Sequence, residues 1–123
     1  MEINNLTYLI LKSAYKVHSE LGPRLLENEY EECLFYELNL QGIKVEKQKS
    51  LPLIYQDVKL DSGYSIDLLV DNRVVIEIKS VSSFNEVHTA QILTYMKLSK
   101  CKIGLLINFN VKSLKQGIKR LVK

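Results

Sequence analysis

Cysteine is scarce in this chain. Cys33 and Cys101 are the only two, far apart, with no CxxC pair and no Cys/His grouping beside them. That excludes a zinc site of the usual spacing and leaves two small thiols, in the core or on the surface. Long apolar runs are missing as well. None reaches the ~20 residues of a membrane span, so no membrane association is expected. The start, "MEINNLTYL", lacks the basic stretch and apolar core of a secretory leader, and a cytoplasmic protein is expected. There is no internal repeat, low-complexity segment or linker, and 123 residues suffice for a single domain, 1–123, around one core. The charge excess is slight. A net +3 with pI near 8.8 is a weak pointer to nucleic acid. The lysines gather in "KVEKQK" (44–49) and in "KSLKQGIKRLVK" (112–123), each compatible with a solvated face or with a phosphate-binding patch.

The pattern along the chain predicts eight elements. Leu6, Ile10, Ala14, Val17 and Leu21 recur at helical spacing, and Gly22-Pro23 ends that helix. Residues 25–42 read as a second helix, ended by Gly42. Residues 43–55 alternate as a strand, an outer one because of Pro52. Residues 58–70 form a second strand, bent at Gly63, and 73–80 a third. A helix over 85–100, a buried strand over 102–109 and a closing helix over 111–122 complete the order ααβββαβα. Three successive strands suggest an antiparallel meander. The strand–helix–strand step suggests a right-handed crossover, which makes 73–80 and 102–109 parallel. The expected fold class is α/β, a mixed sheet flanked by helices.

The third strand, "VVIEIKS", holds Glu77 and Lys79 among apolar neighbours, and the strand before it holds Asp67. Alternation puts Glu77 and Lys79 on one face with Val75. It puts Asp67 with Ser65 and Leu69, leaving Tyr64, Ile66, Leu68 and Val70 opposite. If Asp71-Asn72-Arg73 is a three-residue hairpin loop, Val70 meets Val74 and Asp67 meets Glu77. Opposed Cβ atoms lie ~4.5–5.5 Å apart, where like charges repel. Such a pair shares a proton or a cation, and hard divalent ions favour carboxylate oxygens. Lys79 is then placed to hold a phosphate or an attacking water. A charge cluster that only pairs with itself fits the same spacing. On the next helix His88, Gln91 and Tyr95 share a stripe; on the second helix so do Glu27, Tyr30 and Leu34, with Glu31 one turn beyond Glu27. An amphipathic helix with a wet side, and a first-turn acid favoured by the helix dipole, explain these equally well. His18 reads as a structural histidine, and His88 as at most a support for the residues that meet the reacting atoms. Asn108 and Asn110 read as turn and capping residues.

These stretches carry a resemblance. "VHSELGP" (17–23), "LLENEYEECLFYEL" (25–38), "LDSGYSIDLLV" (60–70), "VVIEIKS" (74–80), "HTAQILTYMKLS" (88–99) and "GLLINFNV" (104–111) resemble, in order, the bacterial GxxExxY group of the PD-(D/E)XK nuclease superfamily. The motif's leading glycine is replaced here by Arg24, while Glu27 and Tyr30 match. The resemblance implies a restriction-endonuclease-like fold and a Mg²⁺- or Mn²⁺-dependent nuclease acting on DNA. It implies that Asp67 and Glu77 bind metal, that Glu27 completes the metal site, and that Lys79 positions the water. Gln91 and Tyr95 match the Gln-x-x-x-Tyr signature of exonuclease-like branches, which orients the lysine and DNA. Two other readings stand beside it: a catalytically silent nucleic-acid-binding or assembly module of the same fold, and a homodimeric junction-cutting enzyme.

Overall fold

Val74–Ile78 is an unbroken apolar run apart from Glu77, as expected of a strand covered on both faces. In the computed structural model, which describes residues 1–123 except the side chain of Ser62, this run is the centre of the sheet. The elements are α1 (Ile3–Leu21), α2 (Glu27–Leu40), β1 (Val45–Tyr55), β2 (Val58–Val70), β3 (Val74–Lys79), α3 (Glu86–Ser99), β4 (Ile103–Asn108), a 3₁₀ turn (Leu114–Gly117) and β5 (Ile118–Val122). The five strands lie in chain order. β3 and β4 are parallel, and every other neighbouring pair is antiparallel. This is the mixed α/β sheet flanked by helices that the pattern predicts. No helix among the described residues is long and apolar enough to cross a membrane.

Two cores sandwich the sheet. On one face Leu6, Ile10, Tyr30 and Leu34 of α1 and α2 meet Leu68, Val70, Ile76, Ile78, Leu105 and Ile107. On the other, Ile92, Tyr95 and Met96 of α3 meet Leu51, Leu69, Val75 and Leu106. Burial of this apolar surface, at ~25 cal/mol per Å², is the main driving force for the arrangement. α3 is capped reciprocally: Asn85 Oδ1 accepts from the His88 N–H and His88 Nδ1 from the Asn85 N–H. His88 is therefore a capping residue, away from the hairpin acids. Cys33 is partly buried and Cys101 buried, both as free thiols.

β1 is an edge strand, as Pro52 requires. At Pro52 the β1–β2 register shifts, so that Leu51 faces Tyr64 but Leu53 faces Leu60. Gly63, at φ +78°, lies in the resulting bulge.

Two expectations fail. The closing helix over 111–122 is absent: a single 3₁₀ turn is followed by β5, antiparallel to β4. Gly117 is the reason. A Cβ there would stand 2.1 Å from the Asn108 carbonyl oxygen, so chain and strand approach at a distance only glycine permits. The chain leaves that contact extended. Asn108 and Asn110 have no helix to cap. Instead Asn108 clamps both the N–H and the carbonyl of Val81 beyond β3, and Asn110 Nδ2 also donates to Val81 O. Secondly, Ile66 does not share a face with Leu68 and Val70 but joins the α3 side, where the Tyr64 ring also meets Tyr95. The β1–β2 ribbon changes face at Gln48, whose backbone is left-handed (φ +50°) and which lies opposite Asp67.

Candidate active site

The β2–β3 hairpin turns through Asp71 and Asn72, both at positive φ (52° and 56°), which these two residue types tolerate best after glycine. Val70 faces Val74, Leu69 faces Val75, Leu68 faces Ile76, and the backbone ladder then stops. One step further stand Asp67 and Glu77. Their side chains replace the missing rungs. The Asp67 N–H donates to Glu77 Oε2 and the Ile78 N–H to Asp67 Oδ2, both at 2.8 Å. β3 meanwhile stays on β4 as far as Lys79. The sheet therefore forks between β2 and β3, with one acid on each tine.

Glu77 is only 3% exposed. Burial, then the neighbouring Asp67, pushes its carboxyl up to about 8. Burial likewise raises Asp67, against hydrogen bonds from Ile78 and Gln48 and the charge of Lys79. Glu31 is raised to about 7, by burial and then by Asp67. Desolvation and mutual repulsion act together: acids this close and this dry hold protons unless a cation takes their place.

The two α2 acids differ. Glu27 is exposed, and its Oε2 accepts from the Ser80 N–H at 3.2 Å. Glu31 is 7% exposed and tied directly into the fork. Gln48 Nε2 donates to Glu31 Oε1 (2.8 Å) and to Asp67 Oδ1 (3.2 Å), while Gln48 Oε1 accepts from Ser65 Oγ (2.8 Å). Gln48 did not emerge from the sequence, where it is one polar residue in a lysine-rich run. The signal available was its place opposite Asp67 once the β1–β2 register is known. Glu27 does act on Asp67 through its charge, so both α2 acids border the site.

Lys79 Nζ donates to Gln91 Oε1 at 3.0 Å, and Gln91 Nε2 donates to Tyr95 Oη at 3.2 Å. Gln91 and Tyr95 stand one turn apart on α3, which explains how a single side chain bridges the lysine and the phenol. Burial, then Glu77, pushes the Tyr95 hydroxyl up. The structure thus brings Asp67, Glu77, Lys79, Gln91 and Tyr95 together, with Glu27 and Glu31 beside them. His18 lies elsewhere. It is buried near Phe109, and its Nε2 donates to the Val111 carbonyl at 2.7 Å.

Half of the cations in the two lysine clusters have protein partners. Lys47 pairs with Glu32 and lies over the Phe35 ring, and Lys49 pairs with Glu46. Lys119 donates to Thr89, and Arg120 to Asn4 and Thr7.

The donor set suits a hard divalent ion that keeps much of its water. With one oxygen of each acid held by a backbone N–H, Glu77 Oε1 and Asp67 Oδ1, the latter also accepting from Gln48, are the oxygens a cation would meet. Mg²⁺ commonly binds through one or two carboxylates plus water and substrate phosphate. No group of three or more His, Cys, Asp or Glu among the described residues forms a ready cation cage.

The family model described as the PD-(D/E)XK nuclease superfamily matches residues 4–121. No curated protein and no solved structure matches the chain. The match runs through both forked strands, the acids upon them and the lysine held by α3, and the chain belongs to the PD-(D/E)XK nuclease superfamily.

Proposed function

We propose that this protein is a Mg²⁺- or Mn²⁺-dependent nuclease of the GxxExxY group that hydrolyses phosphodiester bonds in DNA. The observation that carries the proposal is the fork. A buried acid, Glu77, and a half-buried one, Asp67, meet where the sheet opens, and a lysine two residues beyond Glu77 is held beside them by Gln91. Superfamily membership makes nucleic acid the class of partner and divalent-metal hydrolysis the class of chemistry.

Asp67 Oδ1 and Glu77 Oε1 are the atoms that would hold the ion, with Glu31 and Glu27 bordering them. When bound, the ion supplies charge to a phosphoryl oxygen and lowers the pKa of a coordinated water. The remaining work falls to the protein. The Ile78 and Asp67 N–H groups fix one oxygen of each acid, so the other is aimed rather than free to rotate. Lys79 spends one of its three N–H bonds on Gln91, which leaves two to hold a phosphate oxygen or orient the attacking water. Tyr95 fixes Gln91 in turn. Gln48 keeps Glu31 and Asp67 a fixed distance apart by donating to both.

The test is incubation of single-stranded, duplex and branched DNA with Mg²⁺, with Mn²⁺ and with chelator. Cleavage is expected only with metal. Lys79→Met is expected to fold and to bind Mn²⁺ in a calorimeter while losing ~10²–10⁴-fold in rate, the usual cost of a positioned proton-transfer group. Asp67→Asn is expected to lose metal binding as well. Equal cleavage by wild type and Lys79→Met would make the lysine structural, and no cleavage of any of these DNAs with either metal would overturn the proposal. Metal and DNA binding without cleavage would instead support a catalytically silent nucleic-acid-binding or assembly module.

A further inference from the structure

The residue at the position of the motif's missing glycine has kept the glycine conformation. Arg24 sits at φ +77°, in the left-handed region that an L side chain enters only at a cost. Its turn is locked from outside. Tyr30 Oη donates to the Gly22 carbonyl (2.5 Å) and accepts from the Leu25 N–H (3.1 Å), and its ring stacks on Phe109 at 4.5 Å. Arg24 therefore does not relieve its own strain by moving the backbone. Its side chain lines an open cleft that also holds Ser80, Asn110 and Lys112.

Three features give this cleft a chemistry. Arg24 and Lys112 are both exposed, and neither makes an ion pair or side-chain hydrogen bond among the described residues. This contrasts with Lys47, Lys49, Lys119 and Arg120, all of which have protein partners. Next, the cleft adjoins the fork. Ser80 follows Lys79 directly, and its N–H meets Glu27 while its hydroxyl meets the Leu25 carbonyl. Finally, both cations are carried on braced segments: Tyr30 holds the turn of Arg24, and His18 holds the carbonyl of Val111 beside Lys112.

We propose that Arg24 and Lys112 form a phosphate-binding subsite that grips the nucleic-acid backbone beside the cutting centre. The proposal rests on the nuclease reading for its ligand class, a phosphodiester chain. It adds the direction in which the strand leaves the fork: past Ser80, toward the turn before α2. Guanidinium and ammonium serve different ends here. Arginine takes two phosphate oxygens at once, while lysine acts as a point charge.

Arg24→Gly is the informative variant, because it removes the cation and the backbone strain together. The experiment measures binding of a fluorescein-labelled DNA oligonucleotide, single-stranded and duplex, over a range of salt. Ca²⁺ replaces Mg²⁺ to fill the carboxylate site. Thermal stability and Mn²⁺ affinity are recorded alongside. Arg24→Gly is expected to melt at or above the wild-type temperature and to bind Mn²⁺ as the wild type does. Its plot of log affinity against log salt is expected to flatten by ~0.9 for duplex or ~0.7 for single-stranded DNA, one cation's worth of counterion release. Lys112→Gln is expected to do the same, the double variant to flatten by the sum, and Lys49→Gln to change nothing. If the wild type binds DNA and both cleft variants keep its slope and affinity, the subsite is refuted while the nuclease reading stands. If the wild type binds no DNA at all, both fall.

Discussion

Glu77→Gln tests the electrostatics of the fork without touching its shape. The amide keeps an oxygen to accept from the Asp67 N–H, fills the same volume and cannot ionise. In the wild type the folded state raises Glu77 from 4.5 to about 8. Below about 4.5 the folded and unfolded chains both carry the proton, and pH has no effect through this group. Between about 4.5 and about 8 only the folded chain keeps it, so stability falls as pH rises. Above that window both states are ionised, and the loss is complete. Each tenfold change in proton affinity is worth roughly 1.4 kcal/mol, which puts the whole effect on the order of 5 kcal/mol. That is comparable to much of the stability of an ordinary domain. Asp67 and Glu31 are raised too and push in the same direction. Urea denaturation at a series of pH values, with chelator present, is the assay. The wild type is expected to lose several kcal/mol between mildly acid and mildly alkaline solution. Glu77→Gln is expected to flatten that slope substantially and to exceed the wild type in stability at the alkaline end. Parallel profiles for the two proteins would show that Glu77 is not held protonated, and would refute the account of the site as charge-frustrated without a cation.

Other outcomes follow from single contacts. Gln48→Gly relieves the left-handed backbone at φ +50° but removes the bridge between Glu31 and Asp67. Melting temperature is expected to hold within a few degrees while Mn²⁺ affinity falls ~10–100-fold, the range seen when groups that orient metal ligands are lost. An unchanged calorimetric isotherm would make Gln48 merely structural. Gly117→Ala drives a methyl into the Asn108 carbonyl and is expected to cost ~1–3 kcal/mol, read as a lower urea midpoint with early exposure of β5 amides.

Much of the architecture is legible because its strands are strongly biased. "VVIEIK" and "IGLLIN" are too apolar to lie anywhere but between two layers, and the helix between them makes them parallel. The odd count from Val70 to Val74 likewise suffices to bring Asp67 to Glu77, since parity survives even where the ladder ends. The closing segment misleads because Leu114, Ile118 and Leu121 satisfy helical spacing while Gly117, the residue that decides the matter, acts through a contact with a distant strand. Gln48 is invisible for a related reason. Periodicity assumes that a strand keeps its faces, and one left-handed residue exchanges them, carrying Ile66 to the α3 side. The choice between Glu27 and Glu31 turns on the same ribbon, because it is Gln48 that draws Glu31 to Asp67. Arg24 shows the converse case. The resemblance to the GxxExxY group marks it as a departure from glycine, but that its backbone is left-handed cannot be read from the sequence.

The crossed rungs at the fork make two main-chain amides into reporters. In an ordinary ladder an N–H is bonded to a carbonyl, whose accepting strength is fixed. Here the N–H groups of Asp67 and Ile78 are bonded to oxygens of carboxyl groups that gain and lose a proton. Their proton chemical shifts and exchange rates therefore report the protonation of the two acids directly, in a protein without tryptophan. The same two bonds join the β1–β2 ribbon to the body of the sheet at the last point before the strands part. A change of charge at the acids therefore also bears on the bonds that hold that ribbon to the sheet.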